Sequence, residues 1–303
     1  MIDLDSVKDF KVLLVGDMIV DEYVYVRPVG KAVKETALSC TVGKKESFLG
    51  GVWAAAEHVR QFCDPANVKL WLGQNRMWNS RMVDDVYFRK LFVTHEVLPG
   101  YEREWKPDIA SYDVVIVCDF GHGALTKERI ELLCRDAKFL AVNTQTNATN
   151  YGFNLITKYR RADFVVLDEL EARLAVHDRD SPIEQVIADL GYPNTIITRG
   201  IHGAIGLSAG SGTSQLIRQE STADKVVDTM GAGDAFFAIA SLYAAAGASM
   251  TDLIHIGNAA GAVKVGIIGH SASVDKNALR EKLGMGDGSC FYGAAGYEPW
   301  GTA

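Results

Sequence analysis

The sequence has few prolines and few cysteines, and it lacks any long apolar run. Only 7 of the 303 residues are proline and 5 are cysteine. The cysteines are odd in number, widely scattered and without a Cys-x-x-Cys spacing, which argues against a disulfide framework or a zinc site and indicates reduced thiols. No apolar run reaches the length that spans a bilayer, and the N-terminus is acidic where a signal peptide is positively charged. We therefore expect a cytoplasmic protein with no membrane partner.

Positive charge is also scarce. Lys and Arg number 31 against 38 Asp and Glu, which gives a formal net charge of -7 at pH 7. Because nucleic-acid backbones attract basic surfaces, this balance argues against a nucleic-acid partner. A metal-chelated nucleotide needs only a local cationic site and remains compatible with the composition.

Short apolar runs alternate with helical patterns along most of the chain. The run KVLLV at residues 11–15 is closed by Gly16-Asp17, as when a buried parallel strand delivers a polar loop at its carboxyl end. Helical patterns such as KERIELLCRDA separate further strand-like segments. These segments are residues 68–72, 113–118, 139–143, 164–168 and 195–200. The order predicts a parallel sheet with helices on both faces, whose ligands lie beyond the carboxyl ends of the strands.

Two other segments predict a small lid. Residues 22–48 mix β-branched residues with charges and glycines, and residues 81–97 alternate, as in an exposed antiparallel sheet. Gly50-Gly51 then opens an alanine-rich helical stretch. Paired glycines at a helix N-terminus let the backbone approach a ligand.

The segment DTMGAGDAFFAIASLYAA, which begins at Asp228, is the most informative in the chain. Two glycines flank an alanine just before a helical pattern, so backbone N–H groups can point into one concavity and bind the charge on a transferring phosphoryl group. Asp234 stands at the first turn, where a carboxylate can accept the proton of a hydroxyl nucleophile. For a bare GxGD pattern, a glycine turn with Asp234 as the N-cap is the stronger interpretation.

The order of residues in DTMGAGD resembles the second signature of the ribokinase-like (PfkB) carbohydrate kinase family, which is close to DTxGAGD. The resemblance covers most of the chain and implies an α/β fold, a three-layer α/β/α sandwich with a mainly parallel central sheet and a small β lid. It implies a kinase domain at 1–288, with the lid inserted at about 22–48 and 78–98, and a C-terminal tail at 289–303. It also implies ATP and Mg²⁺ as cofactors, a small-molecule sugar as substrate, and a homodimer through the lid.

The resemblance assigns roles to individual residues. Asp234 aligns with the family's catalytic base, and the anion hole aligns with Gly231, Ala232 and Gly233. Substrate contacts are expected from Asp17, Asp21, Gly50, Gly51, Arg81 and Lys90. Nucleotide contacts are expected from Thr198, Gly200, Gly203, Asp228 and Asn258. Magnesium contacts are expected from Glu171 and Asp168.

Several of these residues also have an ordinary structural interpretation. The carboxylates of Asp168 and Glu171, three apart at a strand-to-helix junction, are equally suited to capping the helix. Asp21 is compatible with a solvated loop acid, and Asn258 with a packing position in an alanine-rich helix.

Within the family, the segments VLLVGDMIVDEYVY, CDFGHGAL and GNAAGAVKVGIIG most resemble kinases of heptose 7-phosphate and related sugar kinase modules fused to nucleotidyltransferases. This resemblance implies transfer of the ATP γ-phosphate to a hydroxyl of heptose 7-phosphate or a related sugar. A phosphorylated substrate needs cationic partners, which Arg81, Arg89 and Lys90 can supply if they are not ordinary surface charges.

Three departures from the family pattern keep other functions open. Ala54 replaces an asparagine that commonly follows the paired glycines, and residues 72–81 are too few for the usual helix and strand. Asn143 and Gln145 stand where many members have an Asp-Pro pair. The alternatives are a non-catalytic nucleotide- or sugar-binding descendant of the fold and a kinase for a nucleoside or another polyol.

Overall fold

The computed structural model describes residues 2–99, 106–209 and 214–285, so the predicted tail at 289–303 lies outside the described residues. The strands are β1 Val12–Lys31, β2 Leu38–Gly51, β3 Val68–Asp84, β4 Lys90–Pro99, β5 Val114–Asp119, β6 Leu140–Thr144, β7 Phe164–Asp168, β8 Asn194–Thr198, β9 Ala204–Ala209 and β10 Ser214–Gln219. The α-helices are α1 Val52–Val59, α2 Lys127–Asp136, α3 Glu169–Val176, α4 Ile183–Asp189, α5 Ala232–Ala245, α6 Met250–Lys264 and α7 Lys276–Lys282.

The strands form one mixed sheet. Its core has the order β10-β9-β8-β7-β6-β5-β1-β3. The strands β3, β1, β5, β6, β7 and β8 run parallel. β9 and β10 are antiparallel to their neighbours. The carboxyl ends of β5, β6, β7 and β8 therefore meet at one edge of the sheet, where an α/β fold binds its ligands, whereas β1 and β3 continue past this edge.

Helices cover both faces of this sheet. Side chains of successive strand residues point to opposite faces. Val12 and Leu14 accordingly pack in one apolar cluster with residues of α1, α5, α6 and α7. Leu13 and Val15 pack in a second cluster with residues of α2, α3 and α4. The predicted three-layer α/β/α fold is confirmed. Among the described helices, none is long and apolar enough to cross a membrane.

The prediction that the first strand ends at Gly16 is wrong, because β1 continues to Lys31. Its pairing with β3 shifts register between Gly16 and Met18, and from Met18 onward it pairs with β2 instead of β5. A side chain at position 16 would lie 2.2 Å from the Cys118 carbonyl oxygen, so the glycine permits the close approach of β1 to β5. The strand keeps its backbone hydrogen bonds by exchanging one neighbour for another.

The outer half of this sheet, in the order β2-β1-β3-β4, lies at the segments predicted as the lid, and we call it the lid. β1 and β2 pair antiparallel, as do β3 and β4. β3 passes from the core into the lid as one strand, so no helix intervenes at residues 72–81. Whether the lid and the core act as the predicted domain units stays a prediction.

Helix α6 lies close against α5 at Gly257, which generates a stability prediction. A Cβ atom at Gly257 would lie 2.4 Å from the Phe236 ring, whereas one at Gly261 would meet only the Ala232 carbonyl oxygen, at 3.7 Å. We expect Gly257→Ala to lower the free energy of unfolding by about 1–3 kcal/mol through overpacking. Gly261→Ala, in the same helix, should be neutral or stabilising by up to about 1 kcal/mol. Urea denaturation measures both, and equal effects would contradict this packing.

Candidate active site

The carboxyl ends of β6, β7 and β8 face the N-terminus of α5 across a cavity of about 220 Å³. The residues lining it are Asn143, Gln145, Thr146, Val166, Leu167, Asp168, Glu171, Thr198, Gly231, Gly233 and Asp234. Six predicted site residues are therefore brought together here from three separate segments of the chain. Asn143 and Gln145, which depart from the family pattern, are also part of this lining.

The start of α5 depends on the glycine at position 231. Gly231 is the N-cap residue and has a left-handed backbone with φ 73°. A Cβ atom there would also lie 2.6 Å from the His270 ring. Among the described side chains, none caps this helix through a hydrogen bond. The terminus therefore retains its capacity to bind an anion through backbone N–H groups and the helix dipole.

Asp234 lies in the first turn of α5, after the N-cap rather than at it. Its Oδ1 accepts a hydrogen bond from Gln145 Nε2 at 2.6 Å. Burial raises the pKa of Asp234, while the nearby His270 and the Gln145 hydrogen bond act in the opposite direction. A carboxylate with a raised pKa is a better proton acceptor than an ordinary aspartate.

Asp168 and Glu171 form a capping box at the start of α3. Asp168 Oδ1 accepts from the Glu171 backbone N–H at 2.7 Å, and Glu171 Oε2 accepts from the Asp168 N–H at 2.8 Å. Glu171 Oε1 accepts from the Thr146 N–H at 2.9 Å. Burial, followed by the charge of Asp168, raises the pKa of Glu171 to about 8. The capping alternative is thus present in the structure, and both side chains still line the cavity.

A metal site made only of protein ligands is absent from the described part of the chain, which contains no suitable group of three or more His, Cys, Asp or Glu residues. Mg²⁺ characteristically retains water and uses one or two carboxylates plus substrate phosphates. Asp168 is exposed beside the cavity, so it fits this mode better than the buried Glu171. The magnesium role of this pair stays a prediction.

Three of the six residues expected to bind the sugar, Asp21, Gly50 and Arg81, lie in contact with one another. Asp21 Oδ1 accepts hydrogen bonds from Asn79 Nδ2 at 3.1 Å and from Arg81 at 2.6 Å. Its Oδ2 lies 3.6 Å from His270 Nε2. Burial alone would raise the pKa of Asp21, but the interactions with His270, Arg81 and Asn79 outweigh it and lower the pKa. A Cβ atom at Gly50 would lie 2.6 Å from Asp21 Oδ2, so this carboxylate is closely packed against the predicted glycine pair.

Asp17 is placed differently from the other predicted sugar-binding residues. Only 1% of it is exposed, and its carboxylate accepts hydrogen bonds from the backbone N–H groups of Phe120, His122 and Ala124. Burial raises the pKa of Asp17 to about 6, against the effect of these hydrogen bonds. Asp17 therefore holds the turn after β5, and its sugar contact stays a prediction.

Asp228 joins the lid to the loop before α5. Its carboxylate accepts hydrogen bonds from Tyr23 Oη at 2.5 Å, Lys90 Nζ at 2.8 Å, the Gly269 N–H at 2.9 Å and the Met230 N–H at 3.1 Å. Burial opposes ionisation of Asp228, but these hydrogen bonds together lower its pKa to about 2. Asp228 and Lys90 thus form an ion pair with each other, and the nucleotide contact of Asp228 and the substrate contact of Lys90 stay predictions.

The remaining predicted nucleotide residues lie around the turn between β8 and β9. Thr198 lines the cavity. Gly200 and Gly203 frame a short 3₁₀ turn after β8, both with positive φ. Asn258 Nδ2 donates to the Glu220 carbonyl oxygen at 3.1 Å, so its amide fixes a loop.

The sequence prediction missed two buried cationic or ionisable side chains beside this site. His270, whose side chain is 6% exposed, lies between Asp21 and Gly231. Lys264 has no exposed surface and donates to the carbonyl oxygens of Met230 and Gly269. The one sequence signal for Lys264 is a charged residue inside the alanine-rich segment GNAAGAVKVG.

Residues 107–277 match the model of the pfkB family carbohydrate kinases. The chain is 22% identical over 316 residues to the bifunctional protein HldE of Citrifermentans bemidjiense, covering 89% of the chain and 63% of that relative. It is 25% identical over 324 residues to the HldE protein of Desulfatibacillum aliphaticivorans, covering 93% of the chain and 64% of the relative. The chain thus spans less than two thirds of the length of these relatives.

Solved structures show the same fold. A ribokinase from Thermotoga maritima superposes with a TM-score of 0.69 at 16% identity, covering 91% of this chain and 99% of that chain. An Arabidopsis thaliana ribokinase in complex with ribose and ATP superposes with a TM-score of 0.65 at 14% identity, with the same coverage.

The environment of Asp228 generates a pH-dependent prediction. A pKa lowered from 3.8 to about 2 stabilises the fold above pH 4, and this stabilisation is lost as the pH falls through 2. Asp228→Asn should therefore lower the free energy of unfolding at pH 7 by at least about 2 kcal/mol. The difference from the wild type should shrink between about pH 4 and pH 2.

Guanidinium denaturation at several pH values measures this difference. Asp5→Asn is the matched control, because Asp5 pairs with Lys276 and Arg280 on the exposed surface and should change stability little. An Asp228 variant as stable as the wild type at pH 7, or a difference independent of pH, would contradict the described ion pair.

Proposed function

Because this chain belongs to the pfkB family of carbohydrate kinases, we propose that it transfers the γ-phosphate of ATP to a hydroxyl of a phosphorylated sugar, with heptose 7-phosphate as the first candidate. The observation that carries the proposal is the position of Asp234 in the first turn of α5, beside an uncapped helix N-terminus and the cavity. Similarity to the HldE proteins agrees with the resemblance of the sequence to heptose 7-phosphate kinases.

In this mechanism Asp234 is the general base. The substrate hydroxyl oxygen attacks the γ-phosphorus, the bond from that phosphorus to the ADP oxygen breaks, and the hydroxyl proton passes to Asp234. Negative charge on the transferring group is stabilised by backbone N–H groups at residues 231–233 and by the α5 dipole. Gln145 holds the carboxylate of Asp234 in place through its hydrogen bond.

Asp168, with Glu171 behind it, would hold Mg²⁺ through water at the opposite side of the cavity. The ion would supply charge neutralisation to the nucleotide phosphates. Asp168 approaches this position from the end of β7, and the capping box with Glu171 fixes its backbone. Thr198, at the end of the neighbouring β8, is a hydroxyl donor on the same side.

The sugar would lie between the cavity and the lid, against Asp21. Arg81 keeps 20% of its side chain exposed while its guanidinium binds Asp21, so it can still contact an anionic substrate. Asn79 donates to Asp21, and its Oδ1 lies 2.7 Å from His95 Nδ1, which adds a second polar group from β4. Hydroxyl-rich ligands are recognised by such arrays of charged and amide groups.

A homodimer through the lid is the second part of the proposal. Large apolar side chains are exposed on β2 and β4, which suits burial against a second lid. These residues are Leu38, Val42, Phe92, Val93 and Val97.

The base assignment predicts the effect of Asp234→Asn. Coupled ADP release is measured with magnesium-ATP against heptoses, hexoses, pentoses and their phosphates. One sugar should drive turnover in the wild type, and the variant should lose kcat by on the order of 10²–10⁴ because it has no proton acceptor. Asp189→Asn, at an exposed position of α4, is the control and should retain full activity.

Two results would count against this function. Turnover by Asp234→Asn at the wild-type rate would remove Asp234 from the chemistry. Binding of ATP by both proteins without consumption on any acceptor would favour the non-catalytic alternative.

The Gln145 hydrogen bond predicts a shift in the pH dependence of turnover. Because this hydrogen bond lowers the pKa of Asp234, Gln145→Leu should raise that pKa. The base would then be protonated up to a higher pH, so the acidic limb of the kcat/KM profile should move to higher pH.

The control is Gln185→Leu, which removes a comparable 2.7 Å hydrogen bond to the exposed Asp189. Its pH profile should match that of the wild type. An acidic limb that stays in place, or moves to lower pH, in Gln145→Leu would contradict the role of the hydrogen bond.

A further inference from the structure

A lysine with no exposed surface lies beneath the loop that precedes α5. Lys264 ends α6, and its Nζ donates to the Met230 carbonyl oxygen at 2.8 Å and to the Gly269 carbonyl oxygen at 2.5 Å. Met230 directly precedes Gly231, and Gly269 directly precedes His270. One ammonium group therefore joins the two segments that meet at the candidate active site.

The charge of this lysine is not needed to attach the loop to α6. The backbone N–H groups of Val227 and Asp228 already donate to the Val265 carbonyl oxygen, at 2.8 and 3.0 Å. The Gly269 N–H also donates to Asp228. A buried ammonium is costly unless it is paired, and an apolar side chain would fill the same volume without that cost. Lys264 instead contacts the carbonyl oxygen of Met230, the residue directly before Gly231.

The charged groups around Lys264 belong to the candidate active site and the loop before it. Burial lowers the pKa of the Lys264 ammonium, and the carboxylates of Asp228 and Asp234 act in the opposite direction. A Cβ atom at Gly231 would lie 3.3 Å from Lys264 Cε. The side chain thus passes directly under the N-cap of α5.

We propose that Lys264 is a positioning residue of this site, a fixed internal cation that holds the backbone from Met230 to Gly233 in its anion-binding geometry and offsets the charge of the transferring phosphoryl group. This inference rests on the proposed kinase function. Lys264 acts through the carbonyl of Met230, so its removal should affect the chemical step more than sugar binding.

The first test compares Lys264→Met with the wild type in the kinase assay. Methionine has a similar length without the charge, and we expect kcat to fall by about 10²-fold while the sugar KM changes by less than about 3-fold. Lys276→Met is the matched control, because Lys276 pairs with the exposed Asp5, and it should retain wild-type activity.

The second test is chemical rescue. Lys264→Ala leaves two carbonyl oxygens around a space of the size of an alkylammonium ion, so ammonium or methylammonium chloride should restore turnover by at least about 10-fold. Sodium chloride at the same ionic strength should not restore turnover, and Lys264→Met should not respond because its side chain fills the space. If Lys264→Ala is folded but too unstable to assay, its melting temperature is measured against ammonium concentration, with Lys264→Met as the reference. Absence of rescue in either form overturns the proposal.

Failure of the proposed function remains distinguishable from failure of this inference. If the wild type phosphorylates no acceptor, the kinase assignment fails, and hydrogen exchange of residues 228–234 then reports on the loop. Faster exchange in Lys264→Met than in Lys276→Met would support positioning by Lys264. Equal exchange, or a kcat for Lys264→Met equal to that of the wild type, would overturn it.

Discussion

The buried carboxylate of Asp228 fixes the lid relative to the start of α5, and the rest of the site depends on that placement. Its hydrogen-bond donors come from β1 through Tyr23, from β4 through Lys90, and from the Gly269 backbone. The residues around Asp21 lie on the same lid strands, β1 and β3. This ionised group thus helps to hold the lid strands that carry the predicted sugar contacts against the loop before α5.

Ionisable side chains follow one another from this point into the cavity. Lys264 lies below the loop, Asp228 and Asp234 lie on either side of it, and His270 lies between Asp234 and Asp21. Because the Lys264 ammonium lies near the carboxylates of Asp228 and Asp234, their attraction offsets part of the cost of burying these three groups. The same arrangement keeps the α5 N-terminus as the place where an additional anion is best stabilised.

The sequence predicted the sheet, the flanking helices and the cavity residues of α5, because these follow from local patterns. Apolar runs of about five residues mark the parallel strands, and glycines before an alanine-rich helix mark the loop at Gly231. It could not predict the partners of charged groups that lie far apart in the chain. Tyr23 and Asp228 are 205 positions apart, and Lys90 and Asp228 are 138 apart.

The first strand shows that backbone pairing between distant segments was not predictable from the sequence either. Gly16-Asp17 has the composition of a strand end, but β1 continues because β2 supplies hydrogen bonds where β5 stops. Asp17 was accordingly expected in an open loop, and instead three backbone N–H groups about a hundred residues later engage it. Whether a strand ends or continues at such a position depends on pairing between distant segments, which a local sequence pattern does not reveal.

A crystal structure with Mg²⁺ and a non-hydrolysable ATP analogue would test the proposed site most directly. We expect the γ-phosphate at the backbone N–H groups of residues 231–233, with Asp168 on the metal side and Asp234 facing the position of the acceptor hydroxyl. A nucleotide bound with its phosphates away from the α5 N-terminus, or no nucleotide in the cavity at saturating concentration, would contradict the proposed site.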